Sequence, residues 1–275
     1  MRIDTGWEAY DSGRRRAYRA GPPAPSELLP IVLVLQEAWG VDGHIRDVSE
    51  RFATAGYLAV APDLYWVDGA RPEELSEDRV EQVKAFLDTL PPTAWADQEK
   101  RDAAIASLPP NDATLVRESL GAVFGNVAKA DEHLATVGSL IAHLRDDGSL
   151  SSQPMVAIGF CMGGGLSFRL ACEKTDLVGA VVCYGSAPAD DELGKLSCPV
   201  LGLYGGDDHR ISDGVPHVAE IIASAGMSFE YEIYQDTPHA FFNDTRSSYR
   251  VTAARDAWAR VLSFFGKTTD IGRRR

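Results

Sequence analysis

A chain of 275 residues, 45% hydrophobic and 24% charged, lies in the ordinary globular range and is long enough for one large α/β domain or two modest ones. Its formal net charge of −13 and pI near 4.9 argue against nucleic-acid binding, since nothing would offset phosphate repulsion, although a pocket on an acidic surface can be locally positive. The opening MRIDTGWEAYDSGRRRAY has no apolar core of signal-peptide length, and no later stretch approaches ~18 uninterrupted apolar residues, so the expectation is a soluble, cytoplasmic protein without a membrane partner.

In chain order, the segment before Pro22 reads as an antiparallel hairpin turning at DSG. IVLVLQ (31–36) is the first long strand, followed by a helix over HIRDVSERFATAG (44–56) and a strand at YLAVAP (57–62). Residues 70–128 fit the alternation least. There RPEELSEDRVEQVKAFLDTL and PPTAWADQEKRDAAIASL read as two charged helices with proline starts, forming either a lid over the sheet's carboxyl edge or a pair on its flank. Beyond them ADEHLATVGSLIAHLRDDG (130–148) reads as a helix and PMVAIGF (154–160) as a strand. MGGGLSFRLACEK (162–174) is the next helix, and VGAVVCYG (178–185) and PVLGLYG (199–205) are strands. The remainder is a helix at VPHVAEIIASAG (215–226), a strand at FEYEIYQ (229–235) and a helix at YRVTAARDAWARVLSFFG (249–266). Several of these helices stop at glycine, the usual left-handed cap. Nearly all-apolar strands alternating with amphipathic helices predict an α/β fold in one domain over 1–275, with a mostly parallel sheet covered on both faces.

The glycine-dense turn GFCMGGG (159–165) between strand and helix admits few chemistries. A P-loop needs G-K-[ST], and no lysine follows these glycines. A dinucleotide site wants an acid at the end of the next strand, which here ends CYGS. The nucleophile elbow G-x-Nuc-x-G remains, as Gly159-Phe160-Cys161-Met162-Gly163, with both glycines required where a Cβ would strike the neighbouring strand or helix. The order nucleophile, acid, base continues downstream. Asp208 in GDDHR follows PVLGLYG, with Asp207 a rival one residue of loop register away, and His239 in DTPHAFF follows FEYEIYQ. His239 would then take the thiol proton and Asp208 would fix its tautomer.

His209 abuts the acid and His217 lies in a helix's first turn, so both are weaker bases; His44, His133 and His143 are expected to face solvent from amphipathic helices. Cys172, Cys183 and Cys198 read as small packed hydrophobes, and without a C-x-x-C pair a metal site is not expected. Oxyanion donors are expected at the Met162 N–H and, in QEAWG, at Ala38. Glu37, emerging from a buried strand, is either paired with an arginine or poised toward the thiol.

With LVLQEAWGVDGHIRDVSERFATAGYLAVAPDLYW, VAIGFCMGGG, LYGGDDHRI and YQDTPHAFFND in order over most of 31–246, the chain resembles the dienelactone hydrolases, the carboxymethylenebutenolidase-like branch of the α/β-hydrolase superfamily. The resemblance implies an α/β-hydrolase fold and a Cys-Asp-His triad at Cys161, Asp208 and His239, with oxyanion donors at Ala38 and Met162. It also implies that Glu37 receives the thiol proton when substrate arrives. A family arginine four residues after the catalytic histidine is replaced here by Asn243; Arg246 is the nearest alternative, and Arg71, Arg101 and Arg117 are candidates from the middle region. By position Trp39, Tyr65, Trp66, Phe241 and Phe242 would ring an apolar acyl pocket. The expectation is a cofactor-free hydrolase of small lactones or activated esters, monomeric or homodimeric. A broad esterase and a non-catalytic binding protein of the same fold are the alternatives.

Overall fold

Strands that are apolar on both sides can sit only in a sheet covered twice, and this requirement organises the chain. In the computed structural model, which describes residues 2–23, 29–91, 97–173 and 176–270, eight strands form one sheet. They are β1 (Asp4–Tyr10), β2 (Arg15–Gly21), β3 (Ile31–Leu35), β4 (Leu58–Pro62), β5 (Met155–Phe160), β6 (Leu177–Cys183), β7 (Val200–Gly205) and β8 (Phe229–Tyr234). Their order is β1-β2-β4-β3-β5-β6-β7-β8, with β3 to β8 parallel and the β1–β2 pair antiparallel at one edge. The hairpin turns through Asp11–Gly13, as the DSG signal predicts, with Tyr10 opposite Arg15.

The side chains of β3 show how the two faces are filled. Ile31, Leu33 and Leu35 enter one core, and Val32 and Val34 enter the other. The first core lies under α5 (Ala130–Asp146), α6 (Met162–Cys172) and α9 (Val215–Ser224), through Leu134, Val137, Phe168 and Ile222. The second lies under α1 (Gly43–Thr54) and α10 (Val251–Thr268), where the Phe52 and Phe265 rings meet at a tilt, 5.8 Å apart. Two short helices, α7 (Asp190–Leu193) and α8 (His209–Ser212), follow β6 and β7. At the far edge β8 is half-exposed and carries Glu230 and Glu232, charges of the kind that discourage edge-to-edge pairing.

Two expectations are corrected. The middle region holds three described helices, α2 (Glu77–Asp88), α3 (Gln98–Ala106) and α4 (Pro110–Val127), where two were expected. Pro110 opens α4 at its first turn, where the missing N–H has no cost, and Ala113, Val116, Leu120 and Val123 form its buried stripe. Of the two prolines expected to start α3, Pro91 lies outside any described helix and Pro92 lies outside the described residues; Asp97 caps α3 by accepting from Lys100 N–H at 3.1 Å. The glycine caps also hold only in part. Gly56 and Gly226 take positive φ beyond α1 and α9, whereas Gly266 lies inside α10.

The three helices share a small apolar cluster of Val83, Phe86, Leu87, Ile105, Val116 and Leu120, and Trp39 from the loop after β3 packs against it. Helix α2 is fastened to α1 and to loops at the carboxyl ends of the strands. Lys84 bridges Asp42 at 3.0 Å with both side chains buried, Glu77 bridges Arg46 at 2.6 Å, and Asp88 bridges Arg246 at 3.0 Å. The helices therefore sit at the carboxyl edge, the rim where parallel sheets place ligands.

Candidate active site

At the end of β5 the chain turns into α6 through Cys161, whose φ of 52° and ψ of −114° lie where an L side chain is strained. Neighbouring backbone holds this turn. Cys161 N–H donates to Cys183 O at 3.0 Å, Gly163 N–H to Gln36 O at 3.0 Å, and Gly165 N–H to Cys161 O at 3.2 Å. A Cβ on Gly159 would overlap the Gly163 carbonyl and one on Gly163 would overlap that of Leu35, so both glycines of the elbow are sterically required. The thiol is partly exposed, and the helix that starts beside it presents the positive end of its dipole to the sulfur.

His239, the base expected from the sequence, arrives on the loop after β8. His239 Nδ1 lies 2.6 Å from Asp208 Oδ2. A carboxylate can only accept, so Nδ1 carries the proton and Nε2 is left available to Cys161, which is near enough to act electrostatically on the ring. Burial alone would lower the His239 pKa. The electrostatic pull of Cys161 and the hydrogen bond to Asp208 outweigh it and raise the value from 6.5 to about 10. The arrangement thus favours the imidazolium form of His239. Of the two candidate acids it is Asp208 that bonds the imidazole, while the backbone N–H of Asp207 donates to Thr237 O at 3.0 Å and fixes the loop.

Ala38 and Met162 flank the elbow. Met162 is the first residue of α6, so its N–H has no acceptor within the helix. Ala38 follows β3, and Tyr65 pins its carbonyl by donating from the phenol at 2.8 Å. Trp39 is half-buried at the junction of the main core with the cluster of α2–α4.

Comparisons with known proteins place the whole chain. The family model described as "Dienelactone hydrolase family" matches residues 16–269. The chain belongs to the dienelactone hydrolase family. A Saccharolobus solfataricus relative named "Putative carboxymethylenebutenolidase" is 35% identical over 261 residues, covering 94% of this chain and 96% of that protein. A crystal structure titled "Putative Dienelactone Hydrolase", from Klebsiella pneumoniae, superposes with a TM-score of 0.71 at 28% identity, covering 97% of this chain and 99% of that one. A dienelactone hydrolase structure from Anabaena variabilis, at 14% identity and a TM-score of 0.62 with 98% of each chain covered, shares the fold. This dienelactone hydrolase family member therefore has the α/β-hydrolase fold and is a hydrolase.

Glu37 in this family member is 2% exposed and is held by two neutral donors, with no arginine bonded to it among the described residues. Tyr184 donates to its Oε1 at 3.1 Å, and Asn243 Nδ2 to its Oε2 at 2.7 Å. Tyr184 was not singled out from the sequence, because it lies in the apolar run CYGS and reads there as core. Its φ of 42° and its ring, 5.1 Å from that of His239, place it against the base as well as the acid.

The remaining expected pocket residues divide. Tyr65 is buried, with the Arg71 guanidinium 5.8 Å from its ring centre. Trp66 lies under Arg16, 3.8 Å from the ring, at the hairpin edge, where Trp7 covers the other side of that guanidinium at 4.0 Å. Phe241 and Phe242 are core residues: Phe241 packs edge-on to Tyr184, and Phe242 lies against Phe160 and His44. Arg246 is 6% exposed, bridged to Asp88 and 5.3 Å from the Trp39 ring. Arg71 donates to Asp63 at 3.0 Å, Arg101 lies over Phe124 at 5.2 Å, and Arg117 is exposed on α4.

The solvent-facing expectation fails for two histidines. His44 is 1% exposed, wedged against Phe160 and Phe242, because the inward face of α1 begins one residue earlier than its hydrophobic residues suggest. His133 is 3% exposed; burial lowers its pKa, and its Nε2 lies 2.9 Å from Asn126 O. His143 remains 41% exposed. His209 and His217 lie at the surface beside Asp213 and Asp190, away from the elbow. Among the described residues no cluster of three His, Cys, Asp or Glu side chains is arranged to hold a metal ion, and no helix is long and apolar enough to cross a membrane.

Proposed function

We propose that this protein hydrolyses lactones or activated carboxylic esters through Cys161, His239 and Asp208, by way of an acyl group carried on sulfur. One observation carries the reading: His239 is bonded through Nδ1 to Asp208 at 2.6 Å and lies close enough to Cys161 for the two to interact electrostatically. The sulfur attacks the substrate carbonyl carbon and a C–S bond forms. The resulting oxyanion is received by the N–H groups of Met162 and Ala38. Collapse of this intermediate breaks the acyl C–O bond, and the His239 imidazolium gives its proton to the departing alkoxide, which in a lactone stays tethered to the acyl group. A water deprotonated by neutral His239 then attacks the thioester, releasing the acid and restoring the sulfur, while Asp208 stabilises the imidazolium.

A thiolate is a strong nucleophile and a poor base, which suits activated esters better than amides. Glu37, in line with the family resemblance, receives the thiol proton as substrate binds, and its acceptor lone pairs are oriented by Tyr184 and Asn243. Trp39 and Tyr65 border the acyl pocket. The substrate is a small molecule, in keeping with a site at the rim of one sheet. The experiment that tests the reading is turnover of p-nitrophenyl acetate and of a simple enol-lactone. Cys161→Ala and His239→Ala should each lose activity by at least about a thousandfold. No turnover of any activated ester by the folded wild type would refute it.

A further inference from the structure

We infer that Tyr65 is a positioning residue for the oxyanion hole: its phenol, fixed on the Ala38 carbonyl, keeps the Ala38 N–H aimed at the charge that develops on the substrate. The inference rests on the hydrolase reading of the same site and gives a role to a side chain buried behind the pocket.

The turn after β3 is short and held at several points. Gly163 N–H donates to Gln36 O at 3.0 Å, so the turn begins against the elbow. Gly40 N–H donates to Glu37 O at 3.4 Å and closes the turn over Ala38 and Trp39. The Glu37 C=O and the Ala38 N–H belong to one trans peptide and point in opposite directions, so a bond that holds the first also aims the second. The Ala38 N–H meets no acceptor among the described residues, which leaves it for a ligand. The following peptide is held by Tyr65, whose phenol donates to Ala38 O at 2.8 Å. With the planes on both sides of Ala38 anchored, its two backbone torsions are fixed.

Tyr65 acts from behind this turn. It is 1% exposed, and burial pushes its pKa above the usual phenol value, so the hydroxyl keeps the proton that it donates. Its backbone N–H donates to Asp63 Oδ1 at 3.2 Å, and the same oxygen accepts from Arg71 Nη2 at 3.0 Å. Arg71 Nη1 donates to Leu75 O at 3.3 Å, which fixes the guanidinium beside Gly40. Gly40 has a φ of 86°, and a Cβ on it would come within 2.8 Å of Arg71 Nη2 and 3.4 Å of the Tyr65 ring. Tyr65, Arg71 and Gly40 thus form one packed support for the turn, built on the fully buried Asp63.

The test compares two reactions of the same sulfur in Tyr65→Phe, which removes only the phenol oxygen. Attack on p-nitrophenyl acetate passes through an oxyanion, whereas alkylation by iodoacetamide displaces iodide at a saturated carbon and forms none. Removing an oxyanion donor outright costs about 10²–10³-fold, so a donor that is present but badly aimed should cost at least about tenfold. In Tyr65→Phe, kcat/KM for the ester should fall by that factor, while alkylation of Cys161, followed by peptide mass mapping, stays within about twofold of the wild type. General damage to the elbow or to His239 would slow both reactions together. Gly40→Ala, which presses on the same turn from the Arg71 side, should split the two rates in the same sense and is read by the same criteria. An ester rate within about twofold of the wild type in Tyr65→Phe, or a parallel loss of both rates, would overturn the inference and leave the hydrolase reading intact. No ester turnover by the folded wild type would overturn both.

Discussion

Substituting Gly159 by alanine tests the steric argument for the elbow most sharply. Gly159 lies in β5 two residues before Cys161, and a Cβ there would overlap the Gly163 carbonyl and come within 2.7 Å of Gly164 N. Both obstacles are backbone in the first turn of α6, so no side chain can rotate away. Separating β5 from α6 would break the Gly163 N–H bond to Gln36 O and open the contact in which Gly164 fits against Gly185. Overpacking ordinarily costs about 1–3 kcal/mol, and a clash that only backbone movement can relieve should reach about 3–5 kcal/mol. That is a large share of the roughly 5–15 kcal/mol by which folded proteins exceed their unfolded states. Urea unfolding followed by tryptophan fluorescence measures the cost. Gly138→Ala is the control, on the exposed side of α5 with nothing within 4 Å of the new Cβ, and it should stabilise by about 0.5–1 kcal/mol through helix propensity. If Gly159→Ala unfolds within about 0.5 kcal/mol of the wild type and keeps its esterase rate, the account of the elbow fails.

Other outcomes follow from the same contacts. Asp208→Asn should lower kcat on p-nitrophenyl acetate by about 10²–10⁴-fold, while Asp207→Asn should change it by less than about threefold; the reverse pattern would show that the acid is misassigned. Iodoacetamide at pH 7, read by peptide mass mapping, should label Cys161 first, because burial pushes the Cys172 thiol up to about 11, Cys198 to about 12 and Cys183 higher still; equal labelling of all four would contradict this. Asp244 is held well below the usual carboxylate range by the His44 ring nitrogen 3.8 Å away and by its pairing with Arg51 at 2.6 Å. A depressed carboxylate stabilises the fold above its unfolded pKa, near 4, and loses that contribution as pH falls further. The stability gap between wild type and Asp244→Asn should therefore be full at pH 6 and narrow below pH 4, and a gap constant with pH would refute the pairing.

The parts of this molecule that sequence makes legible are those set by short-range rules. The buried strands stand out because IVLVL and MVAIGF leave no polar side for solvent, and the elbow because only glycines tolerate its contacts. Asp208 and His239 could be placed because strand ends impose an order on the triad, while the choice between Asp207 and Asp208 needed the 2.6 Å contact. Features that depend on distant pairings were not visible. Tyr184 lies 147 residues from Glu37 and looks like core until its phenol is seen to reach that acid. His44 reads as a polar helix residue, yet aromatic rings from β5 and from the loop after β8 enclose it. Helix α4 was not expected as a third helix in 70–128; Pro110 lies in its first turn, where a proline costs no hydrogen bond.

The central claim is that Cys161 forms the covalent bond to substrate. Enzyme turning over p-nitrophenyl acetate can be quenched in acid, digested and mapped by mass spectrometry. The account predicts one acetyl group on the peptide containing Cys161, discharged by hydroxylamine as a thioester and absent from Cys161→Ala. Full turnover with no acetyl on that peptide, together with an active Cys161→Ala variant, would contradict it.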